Sequence, residues 1–433
     1  MLLSEPKNLS GEFKDILDEL ENSREHFFIT GRAGTGKSTL LNLFRKTSKK
    51  NIVVAAPTGI AALNVRGQTI HSLCGFPPRL LKNEDLTKRK NHRFFKKIDT
   101  LIIDEISMVR VDIFDAIDVF LRINREVNQP FGGVQMVLFG DLFQLPPVIA
   151  DNYEKQYLNQ FYKSPYFFSS RAYHSTQFSM HELHVVYRQD EKRFINLLDS
   201  IRRKTFDEDE LADLNERYQA EEIDDQPYIT LCSTNAIAKS INDKKLNKIE
   251  EPIFLYEAEV QGQFKESQYP TDFVLGLKKG SQVMFLKNDP LKKYVNGTIA
   301  TVLETYNNSI QVRIEDSKIK EKVISIEPVD WELTKYKIDP ENPRKFSSEI
   351  IGTFTQLPVK LAWAITVHKS QGKTFDKVKI NLGRGAFDFG QTYVALSRCR
   401  RFNGIFLESK LTPKDVMIDE RIQAFYDYQR RLH

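Results

Sequence analysis

The chain has 433 residues, 41% of them hydrophobic and 28% charged, with a net charge of +5 and a pI near 8.8. That length allows several domains, and that apolar content excludes an intrinsically disordered chain. No apolar run reaches the roughly 18 residues that cross a bilayer, and three scattered cysteines, Cys74, Cys232 and Cys399, exclude a disulfide scaffold or a zinc finger. The start, residues 1–8, lacks the apolar core of a secretory leader, so a reduced, intracellular setting is expected. The small basic excess permits an anionic partner without naming one.

Residues 9–24 place Phe13, Ile16, Leu17 and Leu20 at helical spacing, which predicts an amphipathic helix. Phe27, Phe28 and Ile29 then predict a short buried strand. It opens onto Gly31-Arg-Ala-Gly-Thr-Gly-Lys-Ser, a G-x-x-x-x-G-K-S loop in the strand–loop–helix context that the motif requires. Glycines let successive N–H groups wrap an anion, and the following helix points its positive end at the phosphates. The candidate nucleotide-binding residues are Gly31, Ala33, Gly34, Thr35, Gly36, Lys37, Ser38 and Thr39. Lys37 would reach the β/γ-phosphates and the Ser38 hydroxyl would ligate Mg²⁺.

A second buried strand ends at Pro57. There Pro57, Thr58 and Gly59 open a helix whose free N–H groups could hold another phosphate. His71, in Gly67-Gln-Thr-Ile-His-Ser, is either structural or a contact to a base. Between Arg79 and Lys97, eight Lys/Arg stand against Glu84 and Asp85, with Phe94 and Phe95 among them. This suits a surface insertion that meets nucleic acid, or a solvated charged loop. Leu101–Ile103 predicts a parallel strand with Asp104 and Glu105 at its carboxyl end, where open α/β sheets place their ligands. Asp104 would orient the hydrated Mg²⁺ and Glu105 would polarise the attacking water. Val134–Phe139 predicts another strand. Gln144 follows on the loop Gly140-Asp-Leu-Phe-Gln, and its amide suits a γ-phosphate sensor.

Taken in order, G-R-A-G-T-G-K-S-T, D-E-I-S-M and G-D-L-F-Q-L-P-P-V resemble the Pif family of DNA helicases, relatives of RecD in helicase superfamily one. The stretch Asp112–Gln135 is similar to the signature that sets this family apart from RecD. The resemblance implies an α/β fold of two RecA-like parallel-sheet domains, with ATP between them. The first would cover residues 1–180 with a strand-separating wedge inserted at about 64–97. The second would cover 181–433 with a small β-barrel inserted at about 250–352.

The second half extends the resemblance. Tyr187-Arg-Gln matches the family's fourth motif, which implies that Arg188 contacts the γ-phosphate; such an arginine stabilises charge in phosphoryl transfer. Phe194, Leu197, Leu198 and Ile201 predict a helix. Residues 228–232 predict a strand, and Ser233-Thr-Asn caps the helix after it; the family places a DNA phosphate at Thr234 and Asn235. From about 250 to 350 the pattern is β. Val283–Leu286 is a strand, and Ile310, Val312 and Ile314 alternate. Asn296-Gly297 reads as a hairpin turn between Tyr294-Val295 and Thr298–Val302. Leu361–Thr374 matches the fifth motif, which implies DNA contacts from His368, Lys369, Ser370 and Gln371, with Gly372 toward the nucleotide. Gly390–Arg400 matches the sixth, with Arg398 as a second γ-phosphate arginine. One departure stands out: residues 9–24 contain no glutamine of the kind with which many superfamily members read adenine, which leaves the choice of base open.

The function expected from the resemblance is an ATP- and Mg²⁺-dependent, 5′-to-3′ DNA helicase. It would run on single-stranded DNA, act at junctions with duplex, and extend to G-quadruplexes and RNA–DNA hybrids. It would be a monomer serving replication, repair, recombination and telomere maintenance, and cytoplasmic in a bacterium, or nuclear or mitochondrial in a eukaryote. The residues alone leave two rivals: an ATPase switch or translocase that does not unwind, and a protein remodeller.

Overall fold

Six parallel strands organise the first half of the chain: β1 (His26–Gly31), β2 (Ile52–Ala56), β3 (Gln68–Thr69), β4 (Thr100–Ile103), β5 (Gln135–Phe139) and β6 (Phe178–Leu183). They lie in the order β3-β2-β4-β5-β1-β6. This computed structural model describes residues 11–218, 228–291, 293–314, 323–338 and 346–432. The central strands are mostly apolar and buried because both faces are covered. On one face Phe27, Ile29, Val54, Ile102, Val137 and Phe139 meet Phe13, Ile16 and Leu20 of the helix Gly11–Asn22, and Leu40, Leu41 and Phe44 of the helix Lys37–Thr47. On the other, Phe28, Val53, Leu101, Ile103 and Leu138 meet Phe114, Phe167 and Phe425. The alternation along each strand sends its neighbours to opposite layers.

That strand order has a chemical consequence. β4, β5 and β1 are consecutive in the sheet, although residues 32–99 separate β1 from β4 in sequence. Their carboxyl ends therefore bring Asp104-Glu105, the Gly140–Gln144 loop and the phosphate loop to one edge.

A four-stranded parallel sheet organises the second half, in the order Ala364–Thr366, Ile229–Cys232, Val378–Asn381, Ile405–Leu407. Beside it in the same unit is a five-stranded antiparallel sheet: Val323–Ile326, Ser309–Ile314, Ile299–Tyr306, Gln282–Phe285 and Val359–Leu361. Its alternating residues Val302, Ile310, Val312 and Ile314 form a separate core with Val283, Phe285 and Leu357. Residues 292, 315–322 and 339–345 of the expected insertion lie outside the described residues, as do residues 1–8.

The chain divides into two compact units, and the division differs from the expected one at 180/181. Among the described residues, one unit holds 11–187, 334–338, 346–349 and 419–432; the other holds 188–218, 228–291, 293–314, 323–333 and 350–418. The first boundary moves to 187/188 because the Tyr187 N–H donates to the carbonyl oxygen of Gly34 at 2.9 Å. The C-terminal helix Glu420–Leu432 belongs with the phosphate loop rather than with the second half, because Ile422, Phe425 and Tyr426 are buried in that unit's core. Thr334–Glu349 joins the same unit: Gln68 Nε2 donates to the Thr334 carbonyl at 2.8 Å, and the Tyr336 ring stacks on Phe94.

The expected hairpin around Asn296-Gly297 also differs. Its first arm is Gln282–Phe285, not Tyr294-Val295. Val295 and Thr298 close a tight turn on each other, and Tyr294 stacks on Phe285 with ring centroids 3.8 Å apart. Gly297, at φ +97°, takes the left-handed conformation of that turn.

Candidate nucleotide and nucleic-acid sites

The phosphate loop runs from β1 to the helix Lys37–Thr47. Gly34 and Gly36 sit at φ +87° and +89°, which side-chain-bearing residues rarely adopt. Thr35 is buried, its hydroxyl donating to the Arg32 carbonyl at 2.9 Å. The Lys37 ammonium donates to the carbonyl oxygens of Gly31 at 2.6 Å and Arg32 at 3.0 Å, so its positive charge is held over the loop. Ser38 is exposed in the helix's first turn.

Across that edge, the Asp104 N–H donates to Ala55 at the end of β2. The Asp104 side chain is buried, and burial together with the neighbouring Glu105 pushes its carboxyl up to about 7, against an opposing pull from Lys37. A buried carboxyl beside a second carboxylate gathers negative charge that a divalent cation would offset. Glu105 itself sits at φ +51°. A glutamate in the left-handed region stores about 1–3 kcal/mol of strain. Nothing in the sequence marks this. In the next loop Asp141 is buried; it accepts from the Phe143 N–H at 3.2 Å and faces Gln144 Nε2 at 3.5 Å. Asp141 thus faces the Gln144 amide, a contact that sequence reasoning missed.

Sequence reasoning also did not place Tyr187, which lies beside the phosphate loop. The residue is 57% exposed. It packs edge-on against Phe13, and a Cβ added at Gly36 would lie 3.6 Å from it. An open aromatic face beside the phosphate loop can stack on a base without reading its edge.

In the second unit three separated segments lock together. Arg188 Nη1 donates to the Ser397 carbonyl at 3.2 Å, and Gln189 Nε2 to Ser397 and Cys399 at 3.2 and 2.9 Å. Arg398, expected at a phosphate, is 1% exposed. Its Nε donates to Val394 at 3.0 Å and its Nη2 to Ser397 Oγ at 2.9 Å. Its Nη1 faces the carbonyls of Ser370 and Lys373 at 3.5 Å. The arginines therefore sit among main-chain carbonyls of the fifth and sixth motifs. Gly372, at φ +72°, turns the chain between them.

The nucleic-acid candidates fall at strand ends in both units. In the phosphate-loop unit Pro57 and Gly59 flank Thr58, whose hydroxyl caps the helix Gly59–Asn64 by accepting from Ala61 N at 3.2 Å. His71 is held neutral by burial and by Arg110, against Asp112. In the second unit Thr234 caps the helix Asn235–Lys248, and Asn235 is exposed in its first turn. The Val367 N–H donates to Cys232 at 2.9 Å, which brings Thr234 and His368–Gln371 to adjacent strand ends. Lys369 is exposed, and His368 is held neutral by burial. Ser370 is buried with its hydroxyl donating to Val367 at 2.6 Å, so that side chain faces inward. Gln371 Nε2 is buried without a hydrogen-bond partner among the described residues. Nearby, burial, Lys373 and Lys369 lower the Lys360 ammonium to about 7.

The basic segment is less open than its composition suggests. Phe94 and Phe95 are core residues. Arg79 pairs with Asp85, Lys88 and Lys96 both pair with Glu126, and Arg89 donates to the carbonyls of Cys74, Gly75 and Asp85. Lys90 and Arg93 remain exposed.

A family model described as PIF1-like helicase matches residues 8–210. The ATP-dependent DNA helicase Pif1 of Campylobacter jejuni is 31% identical over 424 residues, covering 91% of each chain. Its counterpart from Danio rerio is 32% identical over the whole of this chain, which spans 65% of that protein's length. A crystal structure of Bacteroides sp Pif1 in complex with ADP-AlF4 superimposes with a TM-score of 0.90 at 39% identity, covering 98% of this chain and 97% of that one. A Bacteroides Pif1 in complex with ADP-AlF3 and ssDNA gives 0.72 at 40% identity, covering 98% of both.

The chain belongs to the PIF1-like helicase family.

In this PIF1-like helicase the signature segment has a visible structural task. The helix Val111–Arg125 and Glu126 hold the basic insertion in place. Asn124 accepts from the Arg89 N–H at 2.8 Å and donates to Thr87 at 3.3 Å, while Arg125 donates to the carbonyls of Phe95, Ile98 and Gly132. Among the described residues no helix is long and apolar enough to cross a membrane, and no cluster of three His, Cys, Asp or Glu could hold a metal.

Proposed function

We propose that this chain is an ATP-dependent DNA helicase that moves 5′ to 3′ along single-stranded DNA and opens duplex at junctions. The observation that carries this reading is the convergence of Lys37, Asp104-Glu105 and Gln144 at the carboxyl ends of three adjacent strands. Lys37 and the loop N–H groups hold the phosphates. Ser38 and Asp104 hold the cation, Mg²⁺, which screens the phosphate charge. Glu105 accepts a proton from the attacking water, and Gln144 senses the γ-phosphate. Arg188 and Arg398 supply positive charge to the transferring phosphoryl group, and Gly372 sets the turn beside them. Tyr187 stacks on the base, which gives base-tolerant binding and accounts for the missing glutamine.

The proposed DNA path uses Pro57, Thr58, Gly59 and His71 in one unit, and Thr234, Asn235, His368, Lys369 and Gln371 in the other. The Bacteroides Pif1 in complex with ADP-AlF3 and ssDNA holds nucleotide and single-stranded DNA in one protein, which supports this assignment. Lys90 and Arg93 are the insertion's contacts to duplex. G-quadruplexes and RNA–DNA hybrids are further substrates of the same path.

The test is strand separation on duplexes carrying a 5′ or a 3′ single-stranded tail, with ATP and Mg²⁺ and with Glu105→Gln as control. Opening of the 5′-tailed duplex alone, lost in Glu105→Gln, is expected. Opening of the 3′-tailed duplex alone would reverse the polarity. DNA-stimulated ATPase without opening of either would make the chain a translocase or switch.

A further inference from the structure

The C-terminal helix Glu420–Leu432 lies outside every nucleotide motif, yet it touches two of them. Its Tyr426 is 1% exposed. The Tyr426 hydroxyl is 2.7 Å from Oγ1 of Thr30, which is itself wholly buried. Thr30 precedes Gly31, whose carbonyl oxygen accepts the Lys37 ammonium at 2.6 Å. The Tyr426 ring stacks on Phe143 with centroids 5.3 Å apart and an interplanar angle of 6°. Phe143 precedes Gln144, and its N–H is fixed by Asp141. One side chain thus bears on the strand end that feeds the phosphate loop and on the loop that carries the γ-phosphate sensor.

The polar contact is the informative part. Burying a hydroxyl is costly unless it is paired, and phenylalanine would fill the same space without that cost. A tyrosine placed on a threonine hydroxyl therefore adds direction: it fixes the rotation of Thr30 about β1 while the ring fixes Phe143. The rest of the helix has its own anchors. Phe425 stacks on Phe168 at 4.5 Å, and Gln429 Nε2 donates to the Tyr173 hydroxyl at 3.2 Å. Docking of the helix does not depend on Tyr426 alone.

We infer that Tyr426 is a positioning residue for ATP hydrolysis, holding the phosphate loop and the Gln144 loop in register through Thr30 and Phe143. The inference rests on the nucleotide-site reading given above. It assigns the C-terminal helix a part in turnover that no motif records. Displacing a catalytic group by about 1 Å costs on the order of 10²-fold in rate, so small rotations at these contacts are kinetically visible.

The test compares Tyr426→Phe, Tyr426→Leu and the packing control Phe425→Leu in the 433-residue chain. ATPase kinetics with saturating single-stranded DNA and thermal unfolding are measured on each. Tyr426→Phe is expected to lower kcat by about tenfold, and Tyr426→Leu by about 10²-fold, with KM for ATP within about twofold of wild type. Phe425→Leu is expected to lower Tm at least as much as Tyr426→Phe while keeping kcat. Wild-type kcat in both Tyr426 variants would overturn the inference, as would a kcat loss in Phe425→Leu that matches its loss in Tm. Glu105→Gln run alongside separates the two levels. If it keeps full turnover, the nucleotide-site reading fails; if it is inactive while the Tyr426 variants are normal, only the positioning role fails.

Discussion

The Lys37 ammonium lies 2.6 Å from the carbonyl oxygen of Gly31, so the phosphate loop closes on its own lysine. The lysine is thereby pre-positioned: little side-chain freedom is left to lose when phosphate binds. Lys37→Met should keep the fold and lower kcat for ATP by on the order of 10³, the loss typical of one preorganised donor. Circular dichroism together with steady-state ATPase checks both halves of the statement.

Tyr187 yields a prediction about base choice. Its exposed ring beside Gly36 offers stacking that every purine can use. Tyr187→Ala should weaken nucleotide binding by about 1–3 kcal/mol, and Tyr187→Phe should restore it. Binding titrations with ATP and GTP check this, and the two nucleotides should lose affinity alike. A loss for ATP alone would mean that an edge-reading contact exists elsewhere.

Arg125 tests whether the signature helix serves the insertion. Its guanidinium holds the carbonyls of Phe95, Ile98 and Gly132. Arg125→Ala should cost roughly 2 kcal/mol of stability, since charged donors to buried carbonyls are worth more than neutral ones. Unwinding should fall further than DNA-stimulated ATPase, because the insertion rather than the nucleotide site loses support. Equal losses in the two assays would remove the insertion from strand separation.

His26 sets an acid limit on stability. Burial lowers its imidazole from 6.5 to about 4, against a weak opposing pull from Asp118. Its Nδ1 accepts from the Met136 N–H at 3.0 Å, which requires the neutral ring. Between pH 6.5 and 4 the unfolded chain takes the proton and the folded chain does not. Stability is therefore fully present above 6.5 and falls as pH drops toward 4, by up to about 1.4 kcal/mol per pH unit from this group. Urea unfolding at pH 7, 5.5 and 4.5, compared with His26→Gln, should show a shallower slope in the variant.

The local geometry of the candidate site was legible wherever it depends on contiguous residues. Gly34, Gly36 and Lys37 form a loop whose φ angles and donors are local, and Asp104-Glu105 ends a run whose burial follows from composition. Thr58 and Thr234 cap their helices for equally local reasons. Contacts between residues far apart in sequence were not legible. Which strand lies beside β1 depends on packing of the whole sheet, and it is β5 that brings Gln144 there. The burial of Phe94 and Phe95, in a segment that reads as charged surface, required the signature helix to pack against it. Tyr187 and Tyr426 are unremarkable in their own segments; only the fold sets Tyr187 beside Gly36, and Tyr426 against Thr30 and Phe143. Local patterns determine which groups can bind a nucleotide, because backbone geometry and side-chain type act over a few residues. The tertiary structure alone decides what holds those groups in place, because burial and stacking depend on surfaces that the chain brings together only when folded.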